Sequence, residues 1–247
     1  MPVMDSIHSI DGARIAEFGV WFLVFLFSST LHEAAHALLA RLGGDDTAYE
    51  GGQVSLSPLP HIRREPFGMI LVPILSFFYM GWLMGWASTP YDPDWARRHP
   101  GRQALMSAAG PAANFILALL AGAALMWLMA AGVLVPPEAL AYAHLAEPAP
   151  RYGPDTLLNP LSAVLSVGLS LNVLLFVLNL IPLPPMDGSG VLHGLFPGSL
   201  GRLLDSLRGN PAMSLLGLGV AWLIFPHVFR PIFGIVLTLL YSGTFGL

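Results

Sequence analysis

Five apolar stretches, at about residues 14–42, 67–87, 104–135, 157–181 and 213–247, alternate with connectors dense in glycine, proline, aspartate and arginine. As a helix, an apolar run of about 20 residues matches the hydrocarbon core of a bilayer. The pattern therefore predicts an all-α polytopic membrane protein, a helical bundle whose outer surface is apolar. Its interruptions carry as much information as the runs. Gly43-Gly44-Asp45-Asp46 stops the first stretch as a glycine-rich C-terminus should. Pro73, Gly81 and Gly85 break the second, and Pro182, Pro184 and Pro185 end the fourth. Pro226 and Arg230-Pro231 divide the last, which leaves open two short spans or one kinked span. Between the first two runs, Gly51 to Pro58 alternates polar and apolar residues and predicts a short strand or hairpin.

Composition agrees with this class: 55 % of residues are hydrophobic and 11 % charged, and mean hydropathy is +0.66. There is no cysteine, which excludes a disulfide framework, a thiolate zinc site and a cysteine nucleophile. Net charge is −4 with no basic tail, so the expected surroundings are a lipid bilayer and nucleic acid is not an expected partner. No segment is large enough for an appended soluble domain. A single intramembrane domain over 1–247 is expected, with its core at about 14–195 and C-terminal helices at 211–247.

The first apolar run holds the chemistry. From Phe18 to Leu42 its only ionisable residues are His32, Glu33, His36 and Arg41. Histidines four apart stand one turn above each other on one helix face, so both rings can reach a single metal ion. Glu33 occupies the adjacent sector, within reach of a water on that metal. Ionisable groups at membrane depth are costly unless they serve a site. Two imidazoles need a third protein ligand, leaving one position for water. Asp187, after the triple-proline break and before Gly188, is the candidate. An ordinary helix stop with an Asp-Gly turn is the other reading of that segment.

Read together, these residues resemble the site-2 protease family of intramembrane zinc metalloproteases, in the short branch without added domains. That family pairs an HExxH helix with a later Asn-x-x-Pro-x-x-x-Leu-Asp-Gly segment. Here the second segment runs from Asn179 to Gly188 with the same spacing and Met186 in place of leucine. Gly44 to Pro73 and the block Ala109-Gly110-Pro111-Ala112-Ala113-Asn114 extend the likeness. The resemblance implies one zinc ion on His32, His36 and Asp187, with Glu33 as general base. It implies a metalloendopeptidase that cuts a transmembrane client protein. Asn179 is a candidate to hold the substrate carbonyl or oxyanion, and Asn114 another, for which a helix–helix hydrogen bond is an equally weighted reading. His61 is expected to be a loop histidine and not a ligand. The strand around Gln53 to Ser57 would offer an edge for extended substrate. The alternative function is a divalent-metal transporter with the same three residues as a transit site.

Shared ligand depth constrains topology. His32, His36 and Asp187 all lie toward helix C-termini, so their two helices must run parallel and an odd number of crossings must separate them. Two apolar blocks lie between, so one must turn back, and 67–87 is the expected re-entrant or broken segment near the zinc site. Its 21 residues would reach across about 30 Å as a straight helix, so length alone opposes this reading. Charge supports it: Arg41, Arg63, Arg64, Arg97, Arg98, Arg102, Arg202 and Arg208 then share one side, against Arg14 and Arg151 opposite. The arginine-rich side is expected to be cytoplasmic, with the site in the cell membrane toward that face.

Overall fold

Asp11 starts the first helix by accepting the backbone N–H of Arg14 at 2.8 Å, and α1 runs from there over Gly12–Leu42. This computed structural model describes residues 11–153 and 156–245. Residues 1–10, 154–155 and 246–247, which include the end of the expected 136–155 loop, lie outside the description. Past α1, two short helices follow, α2 at Thr47–Glu50 and α3 at Leu59–Arg64.

The strand expected at 51–58 is not formed; the segment is a series of turns and bends. Gly51 and Gly52 are used in closing α2, their N–H groups donating to the carbonyls of Thr47 and Tyr49. Downstream, the Ser55 and Ser57 hydroxyls accept the N–H groups of Ser57 and Leu59. Such local side-chain bonds take the donors that a strand would offer a neighbour. The sheet of the described residues lies elsewhere: β1, Leu134–Val135, pairs antiparallel with β2, Glu147–Pro148.

The second apolar stretch turns back. A wide π-helical turn at Phe67–Leu71 continues into α4, Val72–Met80, together too short to cross a bilayer. Val72 N–H donates to the carbonyl of Phe67, five residues earlier. The next bond in that register would come from Pro73, which has no N–H. The Gly68 carbonyl is therefore free, and Trp86 N–H takes it at 3.1 Å. Gly81, at φ +81°, ends α4, its N–H donating to the carbonyl of Phe77, which also accepts from Arg14. The chain then returns in extended form until Ser88 meets Glu65 and Arg64, the residues from which it left. The break expected between Pro73 and Gly85 falls at Gly81.

Next come α5, Pro93–Arg98, and α6, Pro100–Ala130. Trp95 and Arg102 both donate to the Gly43 carbonyl, at 2.9 and 3.0 Å. Thus α6 starts where α1 ends and runs antiparallel to it. After β1, β2 and a 3-10 turn at Pro150–Tyr152, α7 covers Leu158–Asn179. Asn172 of α7 lies level with Asn114 and Ser28, while Gly168 packs on Ala121. The α7 helix is antiparallel to α6 and parallel to α1, as the shared ligand depth requires. Two short helices, α8 at Asp187–Leu195 and α9 at Ser199–Arg208, lead to α10. That helix, Pro211–Phe245, is continuous through Pro226 and Pro231.

Among the described residues, four helices are long and apolar enough to cross a membrane: α1, α6, α7 and Ala212–Ser242 of α10. Leu120, Trp127 and Leu223 are each at least 63 % exposed on these helices, a surface suited to lipid rather than water. The segment between α6 and α7 was expected to be a simple loop, yet it inserts between helices. Leu145 N–H donates to Ser166, Ser170 donates to the Tyr142 carbonyl, and Tyr241 donates to the Leu145 carbonyl. Ala143 packs on the cluster of Val24, Phe25, Val167 and Leu171.

Absence of cysteine makes the topology directly readable. Single cysteines at Ser57 and Arg97 should react with a membrane-impermeant thiol reagent from one side, and Tyr152→Cys from the other. Labelling of Ser57→Cys and Arg97→Cys from opposite sides would show that 67–87 crosses.

Candidate metal centre

The α-helical repeat brings the His32 and His36 rings together, with centroids 4.6 Å apart. Their Nε2 atoms are 3.0 Å apart. Asp187 Oδ2, from the first turn of α8, lies 3.1 Å from His32 Nε2 and 3.3 Å from His36 Nε2. Zinc held tetrahedrally at about 2.0–2.2 Å sets its ligands roughly 3.3–3.6 Å apart. The three atoms stand close to that arrangement with a slight contraction.

Hydrogen bonds on the far sides of the rings decide their protonation. His32 Nδ1 donates to Asn114 Oδ1 at 2.5 Å, and His36 Nδ1 donates to the Met106 carbonyl at 2.7 Å. Oxygens of this kind only accept, so each Nδ1 carries a ring hydrogen, and in the neutral ring Nε2 is the atom that offers its lone pair to a cation. With both rings neutral, two lone pairs and a carboxylate oxygen at about 3 Å repel one another. A cation among them converts the repulsion into coordination, and the donor set, two imidazoles and one carboxylate, suits zinc. The histidine side chains are 8 % and 6 % exposed, whereas that of Asp187 is 22 % exposed. The open side of the cluster therefore lies beside the carboxylate, where an unfilled coordination position would be accessible.

The α6 helix forms the opposite wall. A Cβ at Gly110 would sit 2.3 Å from His36 Nε2 and 2.4 Å from His32 Nε2. The absence of a side chain there is what leaves room for an ion. One turn on, Asn114 has no accessible surface, and its amide donates to Asn172, which in turn donates to Ser28 and the Gly168 carbonyl. Both ends of the Asn114 amide are thus occupied within the protein. Asn114 thus makes a bond between helices, which also orients His32.

Glu33 is buried beside the histidines. Its Oε2 accepts a hydrogen bond from Thr89 Oγ1 at 2.7 Å. Asn179 is the last residue of α7 and is half-buried. His61 lies in α3, fully buried, with Nε2 donating to the Ser55 carbonyl at 3.3 Å, outside the cluster. Three supports were not read from the sequence: Gly110 as a wall, Thr89 on Glu33, and the attachment of α9 to α8. In that attachment, His193 lies 2.8 Å from the Asp205 carboxylate, and Arg208 donates to Ser189. A glycine in the middle of an otherwise regular helix was the available signal for the first; the other two depend on folding.

A sequence model of peptidase family M50 matches residues 20–224. The chain is similar to the protein named "Putative zinc metalloprotease YwhC" of Bacillus subtilis (strain 168). The two are 34 % identical over 179 residues, covering 71 % of this chain and 68 % of that protein. No solved structure matches the chain.

Gly110→Ala should abolish stoichiometric zinc binding while leaving the helices folded, as read by metal content and circular dichroism of the purified protein. Asn114→Leu should weaken zinc affinity by about 10–100-fold, measured by competition with a chelator. Full zinc retention in both would refute this description of the cradle.

Proposed function

Because the chain belongs to peptidase family M50, the site-2 protease family of zinc metalloproteases, we propose that it is an intramembrane endopeptidase whose single zinc ion is held by His32, His36 and Asp187. The convergence of those three donors between apolar helices is the observation that carries the reading. Zinc in this position supplies a Lewis acid that activates water and polarises a carbonyl. Glu33 takes the proton released by that water as its oxygen bonds to the scissile carbonyl carbon. The same carboxyl then returns the proton to the amide nitrogen as the carbon–nitrogen bond breaks. Asn179, at the end of α7, holds the substrate carbonyl.

A helix must be locally unwound before its peptide bond can be reached, which exposes backbone groups to an apolar medium. The stretch around Thr89, which reaches Glu33 through its hydroxyl, offers a backbone edge in the role first assigned to 51–58. The client is thus a membrane-tethered protein with a transmembrane segment. The clustering of Arg41, Arg63, Arg64, Arg97, Arg98 and Arg102 at the end where α1 stops supports a site that opens to the cytoplasmic face. Glu33 separates this reading from a metal transporter, since a transit site has no use for a base beside three ligands.

The test is cleavage in liposomes of single-span test proteins tagged at both ends. Glu33→Gln should keep its zinc and lose cleavage by about 10²–10⁴-fold. Cleavage at the original rate by this variant would overturn the assignment of the base. Zinc flux across the liposome without any cleavage would favour the transporter.

A further inference from the structure

Glu33 has a neighbour from a distant part of the chain, and the inference drawn from it rests on Glu33 being the base. Among the described residues, Thr89 alone hydrogen-bonds the Glu33 side chain, through the 2.7 Å contact from its hydroxyl to Oε2. The same hydroxyl lies 3.0 Å from the Glu33 backbone carbonyl. We propose that Thr89 is the positioning residue of the general base: its hydroxyl fixes Oε2 and leaves Oε1 to receive the proton of water.

Three physical points support this role. First, a glutamate has several rotatable bonds, and beside a divalent cation a loose carboxylate would bind the metal and block the position that water needs. A fixed Oε2 restrains that movement. Second, the hydroxyl is itself held in place. Its neighbour Ser88 donates to Glu65 and accepts from Arg64. Three residues beyond Thr89, Asp92 N–H donates to the buried Asp45 carboxylate at 2.8 Å. Thr89 sits between these two ties, so its position is set by the return of the re-entrant segment and not by Glu33. Third, a hydroxyl suits a group that gains and loses a proton during turnover. It donates to Oε2 of the carboxylate and can go on donating to the same oxygen when Oε1 carries the proton, with no shift of heavy atoms.

The experiment uses the full-length protein in liposomes with a single-span test protein cleaved by the wild type. Thr89→Val removes the hydroxyl at nearly constant shape, and Thr89→Ser restores it. Thr89→Val should lower kcat by about 10–100-fold with KM and zinc content unchanged, and Thr89→Ser should recover most of the loss. Infrared spectra give a readout independent of turnover. The Glu33 carboxylate band, identified by its loss in Glu33→Gln, should shift in Thr89→Val and return in Thr89→Ser. An unshifted band, unchanged kcat in Thr89→Val, or equal damage from serine and valine would each overturn the proposal. Activity surviving in Glu33→Gln would instead refute the general-base reading, and the infrared comparison would still decide whether Thr89 holds the carboxylate.

Discussion

Three lone-pair donors on two distant segments must meet at one depth inside an apolar bundle, and most of the architecture follows from that requirement. His32 and His36 lie near the end of α1, and Asp187 begins α8 just past the end of α7. They meet only if α1 and α7 run parallel, which leaves room for α6 as the single crossing between them. The apolar segment 67–87 must then enter and leave on one side. Parallel helices joined through one antiparallel neighbour place α6 against both, so its glycine and asparagine become the wall and the support of the cluster.

A bundle in lipid cannot leave backbone or amide groups unpaired, because no water is present to compensate. The irregular parts of this chain meet that condition in specific ways. Pro73 frees a carbonyl, and the returning strand uses it through Trp86. Where α4 ends, the Phe77 carbonyl accepts both the Gly81 N–H and Arg14. The inserted loop around Tyr142 and Leu145 is received by serines spaced four apart on α7. Asn114 and Asn172 form a chain from His32 to Ser28 in which donors and acceptors match in order. The polar groups that support chemistry and those that support folding are therefore partly the same groups.

What the sequence made legible was whatever depends on neighbours along the chain. The four-residue spacing of His32 and His36, the proline break before Asp187 and the glycines in 67–87 are local, and the structure preserves each of them. The alternation at 51–58 was also local, but two glycines and two serines satisfied its backbone within a few residues and no strand formed. The insertion of the segment around Tyr142 and Leu145 was hidden because its composition is that of an ordinary loop, and the serine face of α7 reveals it. Asn114 was read as facing substrate as readily as a neighbouring helix. The decision between them required Asn172, which lies 58 residues away in sequence. Thr89 and Glu33 are separated by a comparable distance.

The inserted loop has a consequence for the cell's energy balance. A hydrated catalytic centre within a bilayer is a potential short circuit, since each elementary charge crossing a 100 mV potential releases about 2.3 kcal/mol. Phe25, Val167 and Leu171 are almost fully buried, and Ala143 of the loop packs among them, on the side of the histidines away from the arginine-rich end. In the proposed protease this layer would be a dielectric seal between the site and the far side of the membrane. The proposed hydrolysis inside the membrane would then leave the ion gradient across it undrained.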